Sequence, residues 1–273
     1  LGWLFAIDSG PSMALPLAIQ ATEPVPEVRF VFAAPSPYTG RFDATRAGLG
    51  IALELQRLAR EQALPVRIGL RALPLEAGRA EVQALLEPQP RVLMVGGSTW
   101  SQGSAAPLRR LFELGGGVSL QGVRATAYAT AGGAHTGGEM VVLDSLRSLM
   151  GQGALAFTSG QRLMVFSTDE RLDHPAGTFT PLDCWAMGQY ARELLLQAYA
   201  SPDPAQTAAL ASRLGVDLTY FRRFPRTLSS LPSASTKICA QINALAGPSR
   251  PGLAAVASAL DRSAPEIRNL FAP

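Results

Sequence analysis

Lysine is almost absent from this 273-residue sequence: Lys237 is the only one, and the other basic residues are arginines. The formal charge of +3 and isoelectric point near 9.2 therefore come without a lysine-rich block. A polybasic patch for nucleic acid needs such clustering. The arginine bias, with abundant Ala, Leu, Pro and Gly, reads instead as the mark of a GC-rich genome. Cysteine is nearly as scarce. Cys184 and Cys239 are too few for a disulfide framework or a zinc site. The expectation is a reducing cytoplasm, with Cys184, next to Trp185, a buried structural thiol. His135 and His174 are the only histidines, so a structural metal site is not expected. No apolar run reaches the roughly 18 residues that would span a bilayer. Residues 1–26 read as an N-terminal extension or leader, with Asp8, Gly10 and Pro11 breaking a mildly apolar stretch that lacks a basic start.

What is present is an alternation of short apolar runs and amphipathic segments. Val28 to Ala34 is a nearly continuous apolar run, as expected of a strand buried on both faces. Asp43 is placed to cap a helix over residues 44–62, with Leu49, Leu53 and Leu58 on its apolar side. Further strands are predicted at Pro65 to Leu70, Arg91 to Gly97, Val123 to Thr130 and Leu155 to Val165. Helices are predicted near 76–86, 104–114, 137–150 and 182–199. Strands alternating with helices call for a parallel sheet covered on both faces, joined by right-handed crossovers. This α/β domain is expected to occupy residues 27–200. From residue 201 to 273 the texture changes to short helical runs punctuated by prolines. There, residues 208–222 align without gaps onto 254–268, with Leu214/Leu260 and Arg222/Arg268 among the identical positions. Each copy has the outline of a helix-turn-helix or of any helical hairpin.

Three loops at the expected carboxyl ends of strands carry the chemistry. Ser36, Tyr38, Thr39 and Gly40 lie between the first strand and first helix, where hydroxyls and helix N-terminal amides suit a phosphate. Ser98, Thr99, Trp100, Ser101, Gln102 and Gly103 form a second loop, with Trp100 at its crest able to lie against a planar ring. Thr130, Ala131, Gly132, Gly133 and Gly137 belong to a third, glycine-rich loop whose backbone can approach a ligand closely. His135 in that loop is the one candidate there for a group titrating near neutrality. Neither a GxGxxG nor a GxxxxGK[ST] pattern is present. The loops lack an evident nucleophile or metal cluster, which points to a cofactor bringing its own chemistry.

Over about residues 27–199 these motifs resemble the flavodoxin-like NAD(P)H:quinone oxidoreductases of the tryptophan repressor-binding protein type. Ser36-Pro37-Tyr38-Thr39-Gly40 is similar to that family's phosphate loop with one residue inserted. Residues 98–103 stand where the family holds its flavin ring, without its Pro and Arg. Residues 131–139 are similar to the family's glycine-rich third loop, and Gly151-Gln152-Gly153 stands where it usually has a His. The resemblance implies a flavodoxin-like three-layer sandwich, a five-stranded parallel sheet in the order 2-1-3-4-5, plus a helical C-terminal extension. It implies FMN as cofactor, its phosphate on the first loop and its ring between the second and third. It also implies NADH or NADPH as co-substrate, a quinone or similar small molecule as electron acceptor, and a homo-oligomer. The alternative is a non-enzymatic sensor or scaffold whose helical tail binds DNA or a protein.

Overall fold

Two apolar strands at the centre of the chain's sheet organise everything around them. β1 (Glu27–Ala33) and β3 (Val92–Trp100) run side by side in parallel. Val28, Phe30, Val31 and Phe32 of the first and Val92, Leu93 and Met94 of the second are wholly buried. Burial on both faces is why these strands read as continuous apolar runs. The computed structural model describes residues 24–33, 42–73, 77–100, 103–104, 106–131, 137–158, 164–167, 178–216, 233–245 and 250–261.

β2 (Arg67–Leu73) pairs with the outer side of β1, and β5 (Arg124–Ala131) with the outer side of β3. The fifth position is shared by two short strands, β6 (Leu155–Ala156) and β7 (Met164–Ser167), both parallel to β5. The remaining strand, β4 (Gly103–Ser104), folds back antiparallel on the end of β3. Leaving β4 aside, the sheet order is 2-1-3-4-5, as the resemblance implied. Where the sequence predicts one strand over 155–165, the described residues form two: β6 ends at Ala156, with Phe157 and Thr158 outside it, and β7 begins at Met164.

Helices cover both faces. α1 (Asp43–Glu61) and α5 (Pro181–Ala198) pack on one side with Phe30, Phe32, Met94 and Tyr128. α2 (Arg79–Leu86), α3 (Ala106–Gly115) and α4 (Gly138–Gly151) pack on the other with Val31, Val95 and Ala127. The N-cap of α1 is Phe42 rather than the expected Asp43, and no side chain caps it. Asp43 instead turns to Arg46, three residues along the first turn, at 2.5 Å.

The C-terminal segment adds α6 (Pro204–Leu214), α7 (Ser233–Ala244) and α8 (Arg250–Leu260). These helices lie over α1 and α5, so α5 is buried on most of its circumference. Leu210, Leu214, Ile242 and Ala257 join the same core as the sheet. Just past α8, the Asp261 carboxylate accepts the Leu70 backbone N–H at 2.9 Å and occupies part of the edge of β2. The first halves of the two repeat copies are therefore α6 and α8; their second halves, with Arg222 and Arg268, lie outside the described residues. Cys184, on α5, is disulfide-bonded, which corrects its reading as a free structural thiol. The chain's other cysteine, Cys239, belongs to α7, the helix packed on α5. The reducing-compartment expectation rested on unbonded cysteines and loses that support.

Tyr128 ties the middle of the sheet to α1. Its ring lies so close over Gly96 that a Cβ there would sit 2.0 Å from the ring, and its hydroxyl would be 2.4 Å from a Cβ on Gly48. The hydroxyl donates to the Ala44 carbonyl at 2.6 Å. Burial pushes its pKa far above the usual tyrosine range. Replacing Gly96 with Ala is expected to destabilise the protein by about 1–3 kcal/mol through overpacking. Tyr128→Phe should cost roughly 1 kcal/mol for the lost hydrogen bond. Because the folded-state pKa is raised, the stability held in neutral Tyr128 is present below about pH 10 and is lost as pH rises further. Urea unfolding at pH 7 and pH 10.5 checks all three statements, with the Phe variant losing less between them.

Candidate functional site

The chain changes direction between β1 and β3. β1 leads into α1 on one face of the sheet, whereas the neighbouring β3 leads into α3 on the opposite face. Two adjacent strands whose connections part in this way leave a crevice at their carboxyl ends, and open α/β sheets bind ligands there. The strands that lead into the three predicted loops, β1, β3 and β5, are parallel and all end at this edge.

Ser36, Tyr38, Thr39 and Gly40 lie outside the described residues, as do Ser101, Gln102, Gly132, Gly133 and His135. What is described is the frame that carries them. At the end of β3, Ser98 stands in register with Thr130 of β5, and their hydroxyl oxygens are 3.3 Å apart. Strand alternation puts both on the α1 side of the sheet, above Tyr128. Thr99 points to the α3 and α4 side. Its hydroxyl oxygen is buried and has no hydrogen-bond partner among the described residues. A buried hydroxyl without a partner costs about 1–3 kcal/mol, so it is a place where a ligand acceptor or donor is welcome.

The second loop differs from expectation. Thr99 and Trp100 still belong to β3, and pair with Ser104 and Gly103 in a tight hairpin. Trp100 is therefore a strand residue paired back with Gly103 rather than the crest of a loop. Antiparallel pairing holds the Trp100 backbone in place, giving this rim of the crevice a fixed course. Behind it, Gly97 is demanded by packing: a Cβ there would lie 2.8 Å from Leu108 of α3.

On the third side, Thr130 and Ala131 end β5, both buried. Gly137 then caps α4 with φ of 85°, in the left-handed region that glycine enters without steric cost. Its carbonyl accepts from Met140 and Val141 N–H, at 3.1 and 3.2 Å, and starts the helix. α4 thus begins at the crevice with its amide end foremost.

The wall on the α1 side is built from distant parts of the chain. The Arg46 guanidinium pairs with Asp43 and lies over the Phe179 ring, 4.9 Å from its centroid. Phe179 is gripped in turn by Asn243 of α7, which accepts its N–H at 2.7 Å and donates to its carbonyl at 2.8 Å. One residue on, Thr180 caps α5 in a reciprocal box with Asp183. Sequence reasoning missed Arg46, Phe179 and Asn243; no local pattern links residues so far apart.

The arrangement suits a ligand held by hydrogen bonds and helix amide ends rather than by ion pairs. The described rim offers hydroxyls, strand-end backbone and two helix N-termini. Its acidic residues are Glu139, in the first turn of α4, and Asp43, which is already paired with Arg46. No His, Cys, Asp and Glu grouping able to hold a metal ion occurs among the described residues. The unpartnered Thr99 hydroxyl is the orphan that such a ligand would satisfy.

The chain matches no protein-family model and no curated protein. Among solved structures it is similar to a flavodoxin from Streptococcus pneumonia at 13% identity, over 62% of this chain and 97% of that one, with a TM-score of 0.43. It is also similar to a WrbA-like flavodoxin from Agrobacterium tumefaciens at 9% identity, over 63% and 97%, with a TM-score of 0.46. A flavodiiron protein from Giardia intestinalis aligns at 16% identity, over 69% of this chain and 37% of that one, with a TM-score of 0.43. The fold assignment rests on the chain's own strand order. No helix among the described residues is long and apolar enough to cross a membrane.

Gly137→Ala tests the geometry of the α4 start directly. It places a Cβ on left-handed backbone and is expected to cost about 1–2 kcal/mol. Gly137→Asn, which tolerates that conformation better, should recover part of the loss in the same urea titration.

Proposed function

We propose that this protein is an FMN-dependent oxidoreductase that takes two electrons from NADH or NADPH and delivers them to a quinone or similar small acceptor. The observation that carries the reading is the crevice between β1 and β3, rimmed by hydroxyls, helix amide ends and an unpartnered buried Thr99 oxygen. Bound there, FMN would supply the hydride and electron chemistry, so no protein nucleophile is needed.

The residues of the chain have binding and positioning roles in this proposal. Ser36, Tyr38, Thr39 and Gly40, leading into α1, would hold the phosphate. The Arg46–Asp43 pair, set in that first turn, offsets the acid that would otherwise face it. The 98–103 hairpin would form one side of the ring site, with Trp100 at its base. Backbone N–H groups at 131–133 would donate to the electron-rich edge of the ring, as preorganised donors do elsewhere. His135 would be the nearest group able to hold a proton near neutral pH.

The sensor reading, in which the tail binds DNA, loses appeal from packing. α6, α7 and α8 turn Leu210, Leu214, Ile242 and Ala257 toward α1 and α5, and Asn243 holds the wall beside the crevice. That makes the tail a support for the site.

The test is a titration of purified protein with FMN. Binding of one FMN per chain is expected, with quenched flavin fluorescence, together with NAD(P)H oxidation that depends on an added quinone. Thr99→Val should leave stability unchanged or slightly higher without flavin, because it removes an unpaired hydroxyl. The same variant should weaken FMN binding roughly five-fold, the equivalent of one hydrogen bond of about 1 kcal/mol. A colourless protein that neither quenches FMN nor is stabilised by it overturns the proposal.

A further inference from the structure

One covalent tie joins the C-terminal segment to the wall of the crevice. Cys184 sits in the first turn of α5, is 1% exposed and is disulfide-bonded. The sequence holds one other cysteine, Cys239, and it belongs to α7. The bridge therefore runs from α5 to α7 and closes a loop that takes in the rest of α5 and all of α6. One helical turn beyond Cys239, Asn243 accepts the Phe179 N–H and donates to the Phe179 carbonyl. Phe179 immediately precedes Thr180, the cap of α5, so both ties act on the same short stretch of chain. The Phe179 ring carries the constraint on to the Arg46 guanidinium, which pairs with Asp43 in the first turn of α1. A continuous line of contacts thus leads from the disulfide to the helix end that faces the crevice.

The rest of α7 is weakly anchored. Of its side chains whose exposure is described, Ile238 and Ile242 are buried, whereas Lys237, Ala240, Gln241 and Ala244 face solvent. A helix of 12 residues does not persist by itself in water. Burying two isoleucines offsets only part of the entropy lost in ordering it against α1 and α5. The cross-link makes up the difference, because it keeps α7 near α5 even when the helix lifts away.

We propose that this disulfide is a redox latch on the crevice. A dithiol reductant opens the bridge, α7 comes away from α5, Asn243 releases Phe179, and the start of α1 loses its backing. In the exchange, a thiolate of the reductant bonds to one sulfur of the bridge and the other leaves as a thiolate. The second thiol of the reductant then resolves the mixed disulfide. The protein gains two electrons and two protons as a pair of thiols, and the reductant departs as its own disulfide. The consequence for flavin rests on the proposed function, whereas the release of α7 does not. If the latched form binds FMN more tightly, bound FMN must make the bridge harder to reduce by the same factor.

Amide hydrogen exchange of the full chain, with and without millimolar dithiothreitol, tests the latch without flavin. Reduction should speed exchange about ten-fold or more in residues 233–244 and 43–48 while leaving β1 and β3 protected. The Cys184→Ser, Cys239→Ser double variant should match the reduced protein and show no further response to dithiothreitol. Asn243→Ala, with the bridge intact, should loosen residues 43–48 but not α7. With flavin present, reduction should weaken FMN binding about ten-fold, and saturating FMN should shift the thiol–disulfide equilibrium by that same factor. Two free thiols in protein purified without reductant, unchanged exchange in α7 and α1, or an equal loss of protection throughout the sheet each overturns the proposal. So does FMN affinity that is the same in both redox states. FMN that binds neither state, with α7 still released on reduction, overturns the proposed function and leaves the latch standing.

Discussion

The packing of Tyr128 over Gly96 and under α1 is the contact on which the rest of this structure depends. It fixes the spacing between β5, β3 and α1 at one point, using a ring that admits no side chain at Gly96 or Gly48. The hydrogen bond to Ala44 then sets where α1 begins relative to the sheet. Because α1 starts at the crevice between β1 and β3, one buried phenol determines the position of the helix end that faces any ligand. Ser98 and Thr130, two residues further along the same strand faces, inherit their juxtaposition from that contact.

Polar groups divide between the two ends of the sheet. At the amino end, buried Arg29 pairs with Glu27 at 2.7 Å and donates to the Leu85 carbonyl, while Arg67 reaches the same carboxylate. Arg124 and Arg91 lie near each other there and reach Gln197 and the Ala200 carbonyl at the end of α5. Burial and the nearby Arg91 charge hold Arg124 below the usual arginine range. At the carboxyl end the described rim carries mainly hydroxyls and backbone. The charges brace the base of the sheet, and the end that meets the crevice is left to hydrogen-bonding groups of low charge. Such a division suits a site whose reactive group arrives with a cofactor.

Much of this architecture was legible in the sequence. The apolar runs at 28–34 and 91–97 marked central strands, since only strands covered on both faces dispense with alternation. The strand order came from the resemblance of the loops, and pairing between the strands bears it out. Other features had no local signal. The split between β6 and β7 falls inside a run that is apolar at both ends, so periodicity read one strand. The pairing of Trp100 with Gly103 had no local signal, since the sequence between them, Ser-Gln, lacks the usual Asn-Gly or Gly-Gly signature. Asp43 had the chemistry of a cap but found a stronger partner in Arg46. The packing of α7 on α5, the disulfide at Cys184 and the Asn243–Phe179 clamp all join segments far apart in sequence. Ser98, Thr99, Thr130 and Gly137 lie at the strand and helix ends where the sequence put them, whereas the contacts of Arg46, Phe179 and Asn243 had no local signal.

The central claim is that the crevice at the carboxyl ends of β1 and β3 holds FMN. Amide hydrogen exchange, followed by mass spectrometry with and without FMN, examines that location most directly. The account predicts slower exchange at the start of α1, in the 98–104 hairpin and across 130–138, with β2 and α8 unaffected. Unchanged exchange in those three segments, or protection confined to the amino end of the sheet around Arg91 and Arg124, would contradict it.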